Sequence, residues 1–170
     1  PPENRGDLFD DEHGHFHTFL RRRGMPEGIR PLPLDDFRAP ADPDDLLTHF
    51  IAISMDRTSA AIRLFTTNRW VTGENWYAAE DVIAMLPLFG VEHDRPNRHV
   101  NDWISNLVAL FRPDIEKLLR RRDEVIAARA DRFPRINVYE DRALELTSSM
   151  DVSVERRLAE LALRIDGAHP

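Results

Sequence analysis

Residues 50–86 read FIAISMDRTSAAIRLFTTNRWVTGENWYAAEDVIAML, and they predict a β-hairpin that runs into a helix. The runs 50–55 and 61–66 are rich in β-branched and aromatic residues, as strands are. The polar residues 56–59 between them suit a turn, and we expect residues 70–71 to continue the second strand. The hairpin is therefore the first element around which the fold can be arranged.

A helix is predicted from Trp76 to Leu86, because apolar residues recur there at helical spacing and Pro87 follows. Further predicted elements are helices over 100–111, 113–131 and 154–165 and a strand over 136–139. The predicted fold class is therefore α+β. We expect a small β-hairpin or three-stranded sheet packed against three to four helices, with an irregular N-terminal arm.

The N-terminal arm is predicted to span residues 1–48, and residues 49–170 are predicted to form a single α+β domain. Residues 1–48 hold most of the prolines and many acidic residues, and proline removes a backbone donor that regular elements need. One exception is the segment 15–23, where Phe16, Phe19 and Leu20 are spaced as on a short helix.

The overall composition favours a soluble cytoplasmic protein. The chain has no cysteine, which excludes disulfides and thiolate metal sites. No apolar run is long enough for a membrane span, so we expect no membrane association. No glycine-rich phosphate loop or other cofactor motif occurs, so no cofactor is indicated. We assign no catalytic residue from the sequence alone.

The hairpin and the helix after it resemble the Bro-N domain of phage antirepressors and baculovirus BRO proteins. The resemblance covers about residues 49–87 and depends on six positions of a short motif: Trp76, Tyr77, Ala79, Asp81, Val82 and Leu86. It implies a non-enzymatic regulatory module of phage or mobile-element type that binds DNA.

Arginines supply almost all of the positive charge, and clustered guanidinium groups suit phosphate binding. The net charge of −7 opposes strong attraction to nucleic acid. If the chain binds DNA, the expected phosphate contacts are Arg95, Arg98, Arg120, Arg121, Arg122 and Arg129. The alternative for the 120–122 triplet is a solvated helix face, because acidic residues are interleaved with it.

A protein-interaction or assembly module is the alternative function. Four apolar residues of the arm are spaced as if to lie along a groove, and they are the candidate contacts for a protein partner or a second copy: Ile29, Leu32, Leu34 and Phe37. The amphipathic C-terminal helix is the second candidate surface.

A metal-dependent enzyme is the third hypothesis. His13, His15 and His17 alternate, so in an extended segment all three imidazoles would face one cation. Against this, the segment lies near the terminus with no evident second shell of ligand-orienting groups, and a solvated tail is the competing interpretation. His93 and His99 are candidates for acid–base chemistry, with helix capping and loop hydrogen bonds as the competing interpretation.

Overall fold

The computed structural model describes residues 11–34, 40–95 and 97–166. These residues contain one antiparallel sheet of four strands in the order β1-β2-β3-β4. The strands are β1 (Gly14–Arg21), β2 (Leu47–Met55), β3 (Ala61–Thr67) and β4 (Leu146–Asp151). Helices pack against this sheet, so the predicted α+β class is confirmed.

The predicted hairpin is confirmed as β2 and β3. Its turn is organised by Asp56, whose carboxylate accepts hydrogen bonds from the backbone N–H groups of Thr58 and Ala60 at 2.8 and 3.0 Å. Ser59 adopts φ 67° to close the turn. The polar residues between the strands therefore act as a turn, as their composition predicted.

Five α-helices lie in the described residues: α1 (Arg69–Thr72), α2 (Ala79–Met85), α3 (Arg98–Leu110), α4 (Arg112–Arg132) and α5 (Val154–Asp166). The helix predicted from Trp76 thus begins three residues later. A short 3₁₀ turn, Leu86–Leu88, follows α2 at the expected proline. None of the described helices is both long and apolar enough to cross a membrane.

Two strand predictions are wrong. Trp70 and Val71 lie in α1, because the Asn68 side chain caps the Arg69 N–H at 2.8 Å and turns the chain away from the sheet. Residues 136–139 do not form a strand. Val138–Glu140 is a 3₁₀ turn, and the Asn137 side chain caps its start. The strand that pairs with β3 on the side away from β2 is β4, which lies further along the chain.

The helix predicted over 15–23 is also wrong, because this segment forms β1 and pairs with β2. Phe16 and Leu20 are four residues apart, a spacing that suits one face of either a helix or a strand. Pairing with β2 satisfies the backbone of this segment, and tertiary context thus overrides the local pattern. The predicted domain boundary after residue 48 falls inside β2, and β1 belongs to the same sheet.

The main hydrophobic core lies between one face of the sheet and the helices. The strands contribute Leu20, Phe50, Ile51, Ile53 and Leu64, which are all buried. The helical side of the core comes from α2, α3 and α4. A second cluster joins Trp76, Ile126 and Val138 at one side.

A buried arginine joins α4 to the segment that precedes α2. The Arg122 guanidinium stacks on the Trp76 ring with 4.2 Å from Cζ to the ring centroid, and Nη2 donates to the Tyr77 carbonyl at 2.7 Å. Its Nε donates to Asp123, and the other Asp123 oxygen accepts from the Ala79 N–H at 2.6 Å. Arg122 and Asp123 therefore fix where α2 begins.

A β-bulge in β2 changes which side chains face the core. His17 pairs with Ala52 and Phe19 pairs with His49, so Phe50 and Ile51 together lie opposite Thr18. The Thr18 hydroxyl donates to the Ile51 carbonyl at 2.7 Å and accepts from the Ile51 N–H at 3.2 Å. One buried side chain therefore satisfies the backbone that the bulge leaves unpaired.

We predict that Thr18→Val lowers the free energy of unfolding by about 2 kcal/mol, because both Ile51 backbone groups lose their partner inside the protein. Urea denaturation followed by circular dichroism measures this. Thr67→Val is the matched control, since within the described residues the buried Thr67 hydroxyl has no hydrogen-bond partner. Equal losses in the two variants would contradict the role of Thr18.

We predict that Arg122→Met costs about 3 kcal/mol of stability, because it leaves buried acceptors unpaired and removes the stacking on Trp76. Arg121→Met, at the exposed neighbouring position, should change stability by less than about 0.5 kcal/mol. The same denaturation experiment measures both. A loss of less than about 1 kcal/mol in the first variant would show that Arg122 is not the support for α2.

Candidate active site

The face of the sheet opposite the helices carries a cluster of histidines. His15, His17 and Phe19 alternate along β1 and lie on this face. The bulge in β2 brings His49 to the same face as Ala52, although the two positions are three apart and would face opposite ways in a regular strand. The ring centroids of His15 and His17 are 5.0 Å apart, as are those of His17 and His49.

His17 and His49 form a hydrogen bond of 3.0 Å between Nδ1 of His17 and Nε2 of His49. One ring donates this hydrogen bond and the other accepts it, so the tautomers of the two imidazoles are coupled. The buried His49 ring therefore orients the ring of His17.

His49 is completely enclosed by protein, and burial is the main reason that its pKa lies well below the usual range. The neighbouring charges of His17 and Arg122 lower this pKa further. His49 is therefore neutral at neutral pH. A neutral, buried ring is a suitable hydrogen-bond partner for orienting a second imidazole.

His15 is held by a carboxylate instead. Its Nδ1 lies 2.6 Å from Oε1 of Glu12, and Oε2 of Glu12 accepts a hydrogen bond from the Ser54 hydroxyl. Both groups lie on the histidine face, and the Glu12 and His15 side chains are largely shielded from solvent. Two neighbouring imidazoles are thus each oriented by a different partner, which is a common arrangement for proton transfer.

Glu74 lies beside the start of β2, where β3 no longer pairs with it. The Glu74 carboxylate accepts from the His49 N–H at 2.6 Å and from the hydroxyls of Thr48 and Thr72 at 3.4 and 3.2 Å. The next residue, Asn75, bonds both backbone groups of Leu47. Residues 74–75 therefore take the place of β3 beside this part of β2.

Burial raises the pKa of Glu74 to about 7, although the charge of Arg122 and the hydrogen bonds from His49, Thr72 and Thr48 act in the opposite direction. Glu74 does not itself reach solvent, since only 3% of its surface is exposed. Perturbed ionisable groups close together are typical of functional sites, although structural networks also produce them.

A groove of about 760 Å³ runs along the edge of β1 that faces away from β2. One wall is formed by residues 17–21, and the other by residues 89–93 together with Ile104. Thr72, the hydrogen-bond donor to Glu74, also lines it. The groove therefore places a mostly apolar binding space beside His17.

The structure separates the histidines that the sequence singled out. His15 and His17 lie together, whereas His13 is exposed. His93 lines the far wall of the groove, and His99 donates its N–H to the Asn97 cap of α3. The capping interpretation of the 97–101 region is confirmed, because Asn101 also bonds the carbonyls of His93 and Arg95.

No set of three or more metal-ligating side chains in the described part of the chain is arranged to hold a metal ion. One ring nitrogen of each histidine already has a protein partner, since Nδ1 of His15 bonds Glu12 and Nδ1 of His17 bonds His49. The geometry therefore gives no support to a metal centre at residues 13–17.

The predicted phosphate contacts do not form one exposed basic surface. Arg122 is only 1% exposed, and its guanidinium is already held by the Tyr77 carbonyl, Asp123 and the Trp76 ring, so its assignment as a phosphate contact is wrong. Four of the others lie close to acidic groups: Arg98, Arg120, Arg121 and Arg129. The Arg95 carbonyl accepts a hydrogen bond from the Asn101 side chain. Phosphate binding at these five positions stays a prediction.

The candidate partner contacts of the arm pack against their own domain. Ile29 contacts the main core, whereas Leu32 and Leu34 contact the cluster around Trp76. The Leu32 N–H also donates to the Trp76 carbonyl at 2.8 Å. These apolar residues thus have partners within the chain, and Phe37 lies outside the described residues.

The C-terminal helix α5 behaves differently from the arm. Its apolar side chains Leu158, Leu163 and Ile165 are each more than half exposed. Near its start, Arg157 forms an ion pair with Asp114 of α4. The amphipathic pattern of this helix is confirmed, and its use as an interaction surface stays a prediction.

Sequence reasoning missed the two buried members of the site, His49 and Glu74. His49 interrupts an otherwise apolar strand, and a polar residue at such a position was a signal that could have been followed. Glu74 gave no comparable signal, because a glutamate in a turn between elements is ordinarily solvated.

Comparison with known proteins gives one match. A family model described as "Domain of unknown function (DUF6969)" matches residues 4–152. This range contains all four strands and α1 to α4, and it ends before α5. Neither the curated proteins nor the solved structures give a match. Nothing in the comparisons bears on the resemblance to the Bro-N domain.

We predict that Glu74→Gln removes a pH dependence of stability. The folded-state pKa of about 7 exceeds the unfolded value of 4.5, so the folded protein binds more protons in between and stability falls as pH rises from about 4.5 to 7. Over this pH range Glu74 lowers the free energy of unfolding by about 3 kcal/mol at most. The free energy of unfolding, measured by urea denaturation, should therefore fall less between pH 5 and pH 8 in the variant than in the wild type.

His49 contributes to the pH dependence of stability with the opposite sign. Its folded-state pKa is lowered, so the unfolded chain binds more protons below pH 6.5 and stability rises with pH in that window. For this reason the prediction concerns the difference between the variant and the wild type rather than the wild-type profile. An identical pH dependence in the two proteins would contradict it.

Proposed function

The chain belongs to the DUF6969 family, and we propose from its geometry that it is an enzyme that hydrolyses a small molecule by general acid–base catalysis. The observation that carries the proposal is the 3.0 Å hydrogen bond between His17 and the buried His49, beside a groove large enough for a substrate. In this proposal His17 is the catalytic base.

His17 would act as the base with its ring oriented by the hydrogen bond between its Nδ1 and Nε2 of His49. His49 is a positioning residue, because it is enclosed by protein and acts only through His17. Such an orienting partner fixes both the tautomer and the direction of the imidazole.

His15 is the second proton-transfer group in this proposal. Its ring lies 5.0 Å from that of His17, and Glu12 fixes its orientation. After the activated water attacks the substrate, a proton must reach the leaving oxygen. A neighbouring imidazole can supply it, so that the two histidines serve the two sides of one reaction.

The groove favours a substrate that is partly apolar. Phe19, Phe89 and Ile104 line it, whereas its polar groups include His17, His93 and Thr72. An ester with an apolar acyl or alcohol part has the required chemistry, with its reacting carbonyl directed toward β1. Pockets of this size and character ordinarily bind small molecules.

Nucleic-acid binding by a regulatory module has less geometric support. Arg122 is buried, and the ion pairs at Arg120 and Arg129 measure 2.7 Å each. Guanidinium groups held by carboxylates contribute less to phosphate binding than free ones do. DNA binding, assembly with a protein partner and a cytoplasmic location remain predictions from the sequence.

We predict that the purified protein hydrolyses p-nitrophenyl esters, and that His17→Asn lowers kcat/KM by about 100-fold or more, because a general base contributes on that order. The assay follows p-nitrophenolate release with acyl chains of two to eight carbons, about the range that the groove can hold. His13→Asn is the matched control, since this exposed histidine lies just before β1.

His49→Asn separates positioning from folding. It should lower kcat and displace the pH profile while the protein stays folded by circular dichroism, because His17 loses its neutral hydrogen-bond partner. Absence of turnover for every ester would contradict the proposed hydrolysis. Equal activity of wild type and His17→Asn would exclude His17 as the base.

A further inference from the structure

A second pocket lies away from the histidine face, where the N-terminal segment folds over Tyr77. Its volume is about 370 Å³. Its walls are mostly apolar and include Ile29, Leu46 and the prolines at positions 31, 33, 40 and 43. A pocket of this size and character is suited to a small organic ligand.

One residue of the pocket wall carries a polar group that lacks a hydrogen-bond partner. Tyr77 lines it and is fully buried, and in the part of the chain that the structure describes its hydroxyl has no hydrogen-bond partner. A buried hydroxyl without a partner destabilises a protein, so native structures rarely contain one without a reason. A bound ligand that accepts or donates a hydrogen bond would satisfy it.

Two arginines give the pocket its electrostatic character. Arg22 and Arg30 line it, and among residues 11–34, 40–95 and 97–166 no carboxylate lies within ion-pair distance of either. Within the described residues, the hydrogen bond of the Arg22 guanidinium is a weak one, from Nη1 to the Pro26 carbonyl at 3.4 Å. Its charge is close enough to lower the pKa of Tyr77, although burial raises that pKa overall.

A local turn holds this wall in place. Gly28 adopts φ +89°, a conformation that side chains with a Cβ rarely take, and it turns the chain between Pro26 and Ile29. The Leu32 N–H then bonds the Trp76 carbonyl, which ties the segment beside Tyr77. The pocket is thus built by fixed contacts on both sides.

We propose that this pocket binds a small amphipathic carboxylic acid. Its carboxylate would pair with Arg22 and accept a hydrogen bond from the Tyr77 hydroxyl. Its apolar part would lie against Ile29, Leu46 and the prolines. The site is separate from the groove beside His17, so it is independent of the proposed hydrolysis.

The test uses 4-phenylbutyrate as the probe and 4-phenylbutanol as its neutral counterpart, each titrated into the full chain by isothermal titration calorimetry. We expect the acid to bind with a Kd on the order of 0.1 mM, as suits a ligand of its size. The alcohol should bind about tenfold more weakly, because it forms no ion pair with Arg22.

Three variants make the test specific. Arg22→Gln should weaken binding of the acid about tenfold, whereas Arg21→Gln, at the neighbouring exposed residue that pairs with Asp45, should leave it unchanged. Tyr77→Phe should weaken binding and at the same time raise the Tm of the free protein, because an unsatisfied buried hydroxyl is removed. A structural role for the hydroxyl would lower the Tm instead.

The proposal is overturned by any of three results: no saturable binding of 4-phenylbutyrate, equal binding of the acid and the alcohol, or equal weakening by Arg21→Gln and Arg22→Gln. Esterase activity serves as a separate readout. Arg22→Gln and Tyr77→Phe lie outside the proposed catalytic groups and should leave it unchanged, so failure of one proposal is distinguishable from failure of the other.

Discussion

The pair Arg122 and Asp123 is the interaction on which the arrangement of the chain depends most. Arg122 lies in the longest helix and is almost fully buried, yet its contacts are with the loop and turn that lead into α2. Asp123 caps the first N–H of that helix from outside, since Ala78 at the cap position has no side chain that could do so. The segment that joins the hairpin to α2 is thus held by a helix more than forty residues further along. Burying a charge is costly, and the stacking, the carbonyl and the adjacent carboxylate offset that cost together.

The bulge in β2 connects this scaffold to the candidate active site. Without the extra residue, the alternation of the strand would direct His49 toward the helices and away from His17. Thr18 fixes the bulge by bonding both backbone groups of Ile51. Glu74 then occupies the space beside the same strand that β3 leaves open. Packing and site chemistry therefore depend on one short irregularity in the sheet.

The elements that sequence predicts well are those whose local pattern and tertiary environment agree. The apolar strands of the hairpin are buried, and both α3, with its strong helical periodicity, and α4, with a weaker one, bury their apolar sides in the core. The segment 14–21 was misjudged because Phe16 and Leu20 fit two periods equally, and only the presence of β2 decides between them. The Asn68 cap likewise replaced an apparent strand with a helical turn. The histidines of β1 were visible as a cluster in the sequence, but their partner His49 lies 32 residues away and reaches them only through the bulge.

The position of β1 at the edge of the sheet has a consequence for how the candidate site would open. Among the described strands β1 pairs only with β2, so it can detach without breaking the pairing of β2 with β3 and of β3 with β4. His15 and His17 both lie on it, whereas His49 stays with the central strand. Partial opening on warming would therefore separate His17 from His49 and withdraw Leu20 from the core, while β2, β3 and β4 stayed paired. Amide hydrogen exchange in β1 would report this opening at a lower free energy than global unfolding.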